Sequence, residues 1–204
     1  LWFFDKVSSG QFAAHNHWNQ SVLIKVPELD QDKLTAVVRD LVGYHDAFRI
    51  SYIRAEIWQQ FYQSKVAIAE VKRLNVSDHT PEEIHQILTE WQSGFDLESG
   101  PLYQIGYLHG YEDNSARIYV AMHHLVVDGV SWRIIADDLK RLYEEKKLQP
   151  KGSSYRQWID CVTRYAEQHA SESLYWSRQL KGLPDYTSGK LHDISTKQVE
   201  LSAQ

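Results

Sequence analysis

Residues 116–143 read ARIYVAMHHLVVDGVSWRIIADDLKRLY, and the repeat changes half-way along. From Ala116 to His124 the run is rich in β-branched and aromatic residues, as a strand is. After Asp128 and Gly129 the spacing lengthens. Val130, Ile134, Ile135, Leu139, Leu142 and Tyr143 then share one helical face, while Asp137, Lys140, Arg141 and Glu144 face away. A strand that turns tightly and feeds a helix is the building unit of α/β architecture.

The flanking sequence repeats that grammar. Leu102 to Leu108 is expected as a strand, joined to the next through the polar loop from Gly110 to Ser115. Trp18 to Val26 reads as a strand closed by Pro27, and Asp30 to Tyr44 as a helix with Leu34, Val37, Val38, Leu41 and Val42 in one stripe. Phe48 to Ile53 and Ile57 to Tyr62 form an expected strand pair, with Lys65 to Val71 as a third strand. A helix starts at Asp78 or Thr80, with Pro81 in its first turn and Glu82 and Glu83 against its dipole, and runs to about Trp91. Two more helices follow, Tyr155 to His169 and Ser171 to Leu180. The expected fold is an α/β sandwich with a mixed sheet, undivided by a linker. The first residue is not Met, and Gln198 to Leu201 reads as a strand just begun, so the chain is expected to be part of something longer.

Composition narrows the function. With 204 residues, 43% hydrophobic and 24% charged, the chain can bury a core and is not disordered. A net charge of −5 without a basic stripe argues against nucleic acid. No apolar run is long enough to span a bilayer, and Leu1-Trp2-Phe3-Phe4 lacks a basic leader, so no membrane is expected and the location is read as cytoplasmic. The lone cysteine, Cys161, sits beside Trp158, Ile159 and Val162 and is read as a small buried apolar residue. Trp158, Tyr165, Tyr175 and Trp176 are read as packing.

The chemistry gathers at His123-His124-Leu125-Val126-Val127-Asp128-Gly129. A histidine pair alone is expected by chance among ten histidines, but the added Asp and Gly lower the expectation to roughly 0.002, which makes the string specific. Neighbours on a strand point to opposite faces, so the two rings cannot share a cavity or a metal: one is buried, and the other is free to act as a general acid or base. Asp128 can accept hydrogen bonds in the turn or pair with an arginine, and Gly129 allows close approach or positive φ. The helix start at Val130 or Ser131 aims free N–H groups at the same region, where an oxyanion could develop. His15 and His17 lack a third ligand at metal spacing and read as surface residues; no metal is expected. The chain carries no Gly-x-Ser-x-Gly, Gly-x-Gly-x-x-Gly or P-loop string.

His123 to Gly129 resembles the HHxxxDG motif of the condensation-domain superfamily of nonribosomal peptide synthetases, related to chloramphenicol acetyltransferase. Tyr44-His45-Asp46-Ala47-Phe48-Arg49 resembles its H-D-x-L-R segment, with Phe48 in place of Leu, and Phe95 to Leu102 resembles its F-D-L-x-x-G-P-L. Within the superfamily, Trp18-Asn19-Gln20-Ser21, the string Val127 to Ile134 with Asp137-Asp138-Leu139 after it, and Ser153 to Trp158 are similar to epimerization domains.

The resemblance implies a chloramphenicol acetyltransferase-like two-layer sandwich lobe with a mixed β-sheet and packed helices, the N-terminal one of two lobes that enclose a tunnel. It implies inversion of the Cα of an aminoacyl or peptidyl thioester, with His124 as the acid or base. A glutamate from the absent C-terminal lobe would act on the opposite face. His123 would face the lobe interior, and Asp128 would pair with Arg49 to hold the loop. No cofactor is bound directly; 4'-phosphopantetheine is carried by the partner, a peptidyl carrier protein, and neighbouring synthetase domains complete the set of partners. Two other readings stand beside it: an amide-forming condensation domain, and a non-catalytic module that docks carrier or accessory proteins.

Overall fold

A computed structural model of the chain describes residues 2–64 and 68–183. In chain order its elements are α1 (Trp2–Ser8), β1 (Asn19–Pro27), α2 (Gln31–Tyr44), β2 (Ile50–Arg54), β3 (Trp58–Tyr62), β4 (Lys72–Asn75), α3 (Pro81–Ser93), β5 (Tyr103–His109), β6 (Ser115–His123), α4 (Ser131–Tyr143), α5 (Tyr155–Gln168) and α6 (Glu172–Gln179). The expectation of an undivided sandwich gives way, among the described residues, to two compact units, one within residues 14–150 and one formed by residues 2–13 with 151–183.

The larger unit is built on a four-stranded sheet in the order β1-β6-β5-β4. β4 runs parallel to β5 and the other pairs are antiparallel, so the sheet is mixed. The α/β fold with packed helices read from the sequence is therefore present, with β2 and β3 as a separate antiparallel pair. Sequence dictates the helix starts. Asp30 accepts the Lys33 amide at 2.7 Å to open α2, and Thr80 and Glu83 form a reciprocal capping box with Pro81 behind it to open α3. The α2 stripe of Leu34, Val37, Val38, Leu41 and Val42 is buried as its spacing requires.

The sheet is covered on both faces. Tyr103 meets Phe48 edge-on at 4.8 Å, and the Tyr107 hydroxyl accepts the Leu29 amide at 2.8 Å, so these alternate residues of β5 face the α2 side, where α4 packs as well. On the other face Gly106 lies under the Trp91 ring of α3, and a Cβ there would overlap the indole. The expected strand at Lys65 to Val71 falls partly outside the described residues; its described part is not a strand, and pairing begins one residue later, at Lys72 opposite Gly106. That boundary is set by the parallel partner, which local alternation cannot reveal.

The smaller unit contains α1, α5 and α6. Phe3 contacts Phe4 and Phe12 edge-on, with centroids 5.1 and 5.6 Å apart. Ser154 and Gln157 form a second capping box, which opens α5. Two expectations fail here. Trp158, Tyr165, Tyr175 and Trp176 are 60, 51, 57 and 55% exposed instead of packed, and Cys161 is exposed instead of buried. Amphipathic spacing sets which residues share a face of α5; it does not supply the surface that covers that face. The strand expected at Gln198 to Leu201 lies outside the described residues. Among the described residues no helix is long and apolar enough to cross a membrane.

Candidate functional site

The site forms where β6 ends. Alternation along β6 turns Tyr119, Ala121 and His123 toward α3 and Val120 and Met122 toward α2. His123 is completely buried. Its Nε2 lies 2.8 Å from the His15 carbonyl and its Nδ1 accepts the Leu125 amide at 3.2 Å, so the hydrogen is on Nε2. Burial pushes its pKa down to about 4, which keeps the ring neutral at physiological pH. The 15–17 segment that supplies the carbonyl is a single 3-10 turn, and His15 and His17, expected at the surface, are half-buried.

His124 stands one residue beyond the strand and is half-buried. Its amide donates to the Trp18 carbonyl at 2.8 Å, and its ring lies tilted over the Trp18 indole with centroids 4.9 Å apart. The ring Nε2 is 3.1 Å from the Gln20 side-chain nitrogen, and the Gln20 oxygen accepts the Trp132 indole N–H at 3.1 Å. β1, β6 and α4 thus each contribute to one ring that is open to approach.

Three expectations about the loop are corrected. Asp128 is exposed and has no ion pair with any arginine among the described residues. Arg49 pairs with Asp46 three residues away instead, the local partner being within reach without any long-range closure. The Val130 and Ser131 amides are not free to meet an oxyanion, because the Asp128 carboxylate accepts both, at 3.0 and 2.8 Å, together with the Ser131 hydroxyl at 2.7 Å. These bonds hold the Asp128 pKa below the ordinary carboxylate range, the Ser131 hydroxyl contributing most. Gly129 has neither positive φ nor a close neighbour: a Cβ there would meet nothing within 4 Å. In α4 Ile135 and Leu139 are buried, but Val130 and Ile134 of the expected apolar stripe are 65 and 46% exposed. Among the described residues no three His, Cys, Asp or Glu side chains gather as a metal site.

The family profile described as "Condensation domain" matches residues 1–203. The chain belongs to the condensation-domain family. It is 42% identical over 199 residues to N-(5-amino-5-carboxypentanoyl)-L-cysteinyl-D-valine synthase of Penicillium rubens, covering 93% of this chain and 5% of the synthase. It is 36% identical over 208 residues to a linear gramicidin synthase polypeptide of Brevibacillus parabrevis, covering 93% of this chain and 4% of that polypeptide. Among solved structures, the epimerization domain from the third module of tyrocidine synthetase B aligns with a TM-score of 0.77 and 26% identity over 90% of this chain and 43% of that one. The starter condensation domain of rhizomide synthetase aligns with a TM-score of 0.73 at 16% identity over 90% of this chain and 47% of that one, a likeness of fold. The chain thus spans about a twentieth of these curated relatives and less than half of these domain structures. Condensation domains hold no cofactor of their own; the phosphopantetheine arm belongs to the carrier protein.

Two of the condensation-domain strings are structural here. In Phe95 to Leu102 the Asp96 carboxylate accepts the Glu98 and Ser99 amides at 2.7 and 3.1 Å, Phe95, Leu97 and Leu102 are buried, and the Leu102 carbonyl accepts the His123 amide at 2.9 Å. That turn therefore seats β5 beside the histidine pair. In Tyr44 to Arg49, His45 bonds Asp138 of α4 at 2.9 Å, a pairing that sequence reasoning missed. Gln20 and Trp132 were also given no role, although both lie in strings already singled out; an alternation count through β1 places Gln20 on the same face as Met122.

Proposed function

We propose that the chain is the N-terminal lobe of an epimerization domain that inverts the Cα of an aminoacyl or peptidyl thioester carried by a peptidyl carrier protein, with His124 as acid and base on one face. One observation carries the reading: the two strings similar to epimerization domains, Trp18 to Ser21 and Val127 to Ile134, meet through Gln20 and Trp132 at the open histidine. The D-configured valine in the name of the Penicillium synthase and the likeness to the tyrocidine epimerization domain support it.

The thioester acidifies the Cα–H. His124 takes that proton, the electron pair moves onto the thioester oxygen as an enolate, and a proton returned from the opposite face restores carbon with inverted configuration. The opposing acid comes from the C-terminal lobe. His123 and Asp128 shape the site without touching substrate, and the C-terminal lobe and neighbouring synthetase domains are its other partners. In the complete domain, solvent deuterium enters the Cα of a loaded substrate and the D/L ratio moves toward equilibrium. The 204-residue chain alone folds but leaves the substrate L, since the opposing acid is absent. If the complete domain joins donor to amine without Cα exchange, it is an amide-forming condensation domain, the reading favoured by the name of the matching family profile.

A further inference from the structure

An indole N–H can only donate, so the Gln20 oxygen must face Trp132, as their 3.1 Å contact has it. The amide NH2 then faces His124, whose Nε2 is 3.1 Å away. Turning the amide over would set NH2 against the indole N–H, donor against donor. An NH2 group also only donates here, so Nε2 must accept, and the hydrogen of the neutral His124 ring sits on Nδ1. His123, fixed by two main-chain groups, holds the opposite tautomer with its hydrogen on Nε2.

The geometry points to Gln20 and Trp132 as positioning residues that set the tautomer of His124 and keep its basic lone pair on Nε2. The two hydrogen bonds form a relay of fixed sense. α4 holds the indole and β1 holds the amide, so rigid elements rather than a loop decide which ring nitrogen is basic. Neither residue needs to reach substrate. The kinetic consequence rests on the acid and base role proposed for His124: the Cα–H bond breaks, the new N–H bond forms at Nε2, the electron pair passes to the thioester oxygen, and the Gln20 NH2 gives way.

The test reads the tautomer first and activity second. Long-range proton–nitrogen NMR on the 15N-histidine-labelled 204-residue chain, near pH ~8 where a free imidazole is neutral, separates protonated from lone-pair ring nitrogens. The expected wild-type spectrum shows His124 Nδ1 protonated and Nε2 bare. Gln20→Glu, with oxygens toward both neighbours, places a hydrogen on Nε2, and Trp132→Phe frees the amide to turn and gives a mixture. A wild-type ring with its hydrogen on Nε2, or spectra unchanged in both variants, overturns the relay. The wild-type spectrum needs no substitution, so a variant that fails to fold does not protect the proposal. In the complete domain Gln20→Glu lowers kcat for Cα exchange by about a hundredfold or more, as a wrong tautomer does elsewhere, with KM within about twofold. If the tautomer reverses while exchange keeps its rate, the relay stands and the acid and base reading of His124 falls.

Discussion

On the α3 side of β6, His123 is enclosed and both of its ring nitrogens are engaged by main-chain groups of residues 15 and 125. One residue later, on the α4 side, His124 is half open and its ring is held by a side chain, Gln20, and by a tilted contact with the Trp18 indole. Main-chain partners in packed segments cannot withdraw, so His123 is tied to one tautomer and one charge. A side-chain partner can be displaced by an incoming group. The same residue type is therefore structural on one face and available for chemistry on the other, and the division follows from strand alternation together with what each face supplies as a partner.

Substitution at the two positions separates these roles. His124→Ala in the complete domain lowers Cα exchange by about 10²- to 10⁴-fold, the usual contribution of a positioned acid or base, and leaves the unfolding midpoint near wild type. Retention of wild-type exchange would remove His124 from the chemistry. His123→Ala does the reverse in kind: a cavity opens and the His15 carbonyl loses its donor, which destabilises the chain by about 2–4 kcal/mol in denaturant unfolding. An unchanged midpoint would mean that the buried ring contributes nothing to stability.

The same contrast explains what was legible in the sequence. The α2 stripe, the Thr80 to Glu83 start of α3 and the alternation of β6 are local patterns with local causes, and each appears in the fold. The strand at Lys72 depends on a distant partner, and the exposed face of α5 depends on a covering surface; neither is written in its own segment. At the site, strand alternation separated the two rings. The pairing of Asp128 with Arg49 fails because an aspartate three residues before a helix can cap it or pair with a distant arginine, and only geometry distinguishes a cap from a pair. Gln20 lies 104 residues from His124, beyond any spacing argument.

pH sharpens the comparison further. The His123 pKa falls from 6.5 to about 4 on folding, so between these values the unfolded chain binds a proton that the folded chain refuses. Stability from this group is complete above pH ~6.5 and is lost as pH falls toward ~4, at up to about 1.4 kcal/mol per unit. Lowering the pH from ~7 to ~5 removes about 2 kcal/mol through His123. His123→Gln, which can still donate to the His15 carbonyl, loses correspondingly less over the same interval. Equal losses in wild type and variant would place the pH dependence elsewhere.

The smallest effect belongs to Asp128, which lies between the two histidines and the helix that carries Trp132. Its carboxylate serves as an exposed cap, so Asp128→Ala costs about 1 kcal/mol, and Asp128→Asn costs less because an amide oxygen still accepts the Val130 and Ser131 amides. The pKa of Asp128 is lowered on folding, so its contribution is present above the ordinary carboxylate range and fades as pH falls through the lowered value. Activity should fall more than stability if the cap holds Trp132 in register with Gln20, and Asp128→Asn should restore both together. A loss of about 3–5 kcal/mol on Asp128→Ala in the complete domain is the size expected for breaking a buried ion pair. It would show that an arginine from beyond the described residues closes on this carboxylate, and that the loop is finished by the other lobe rather than by its own helix.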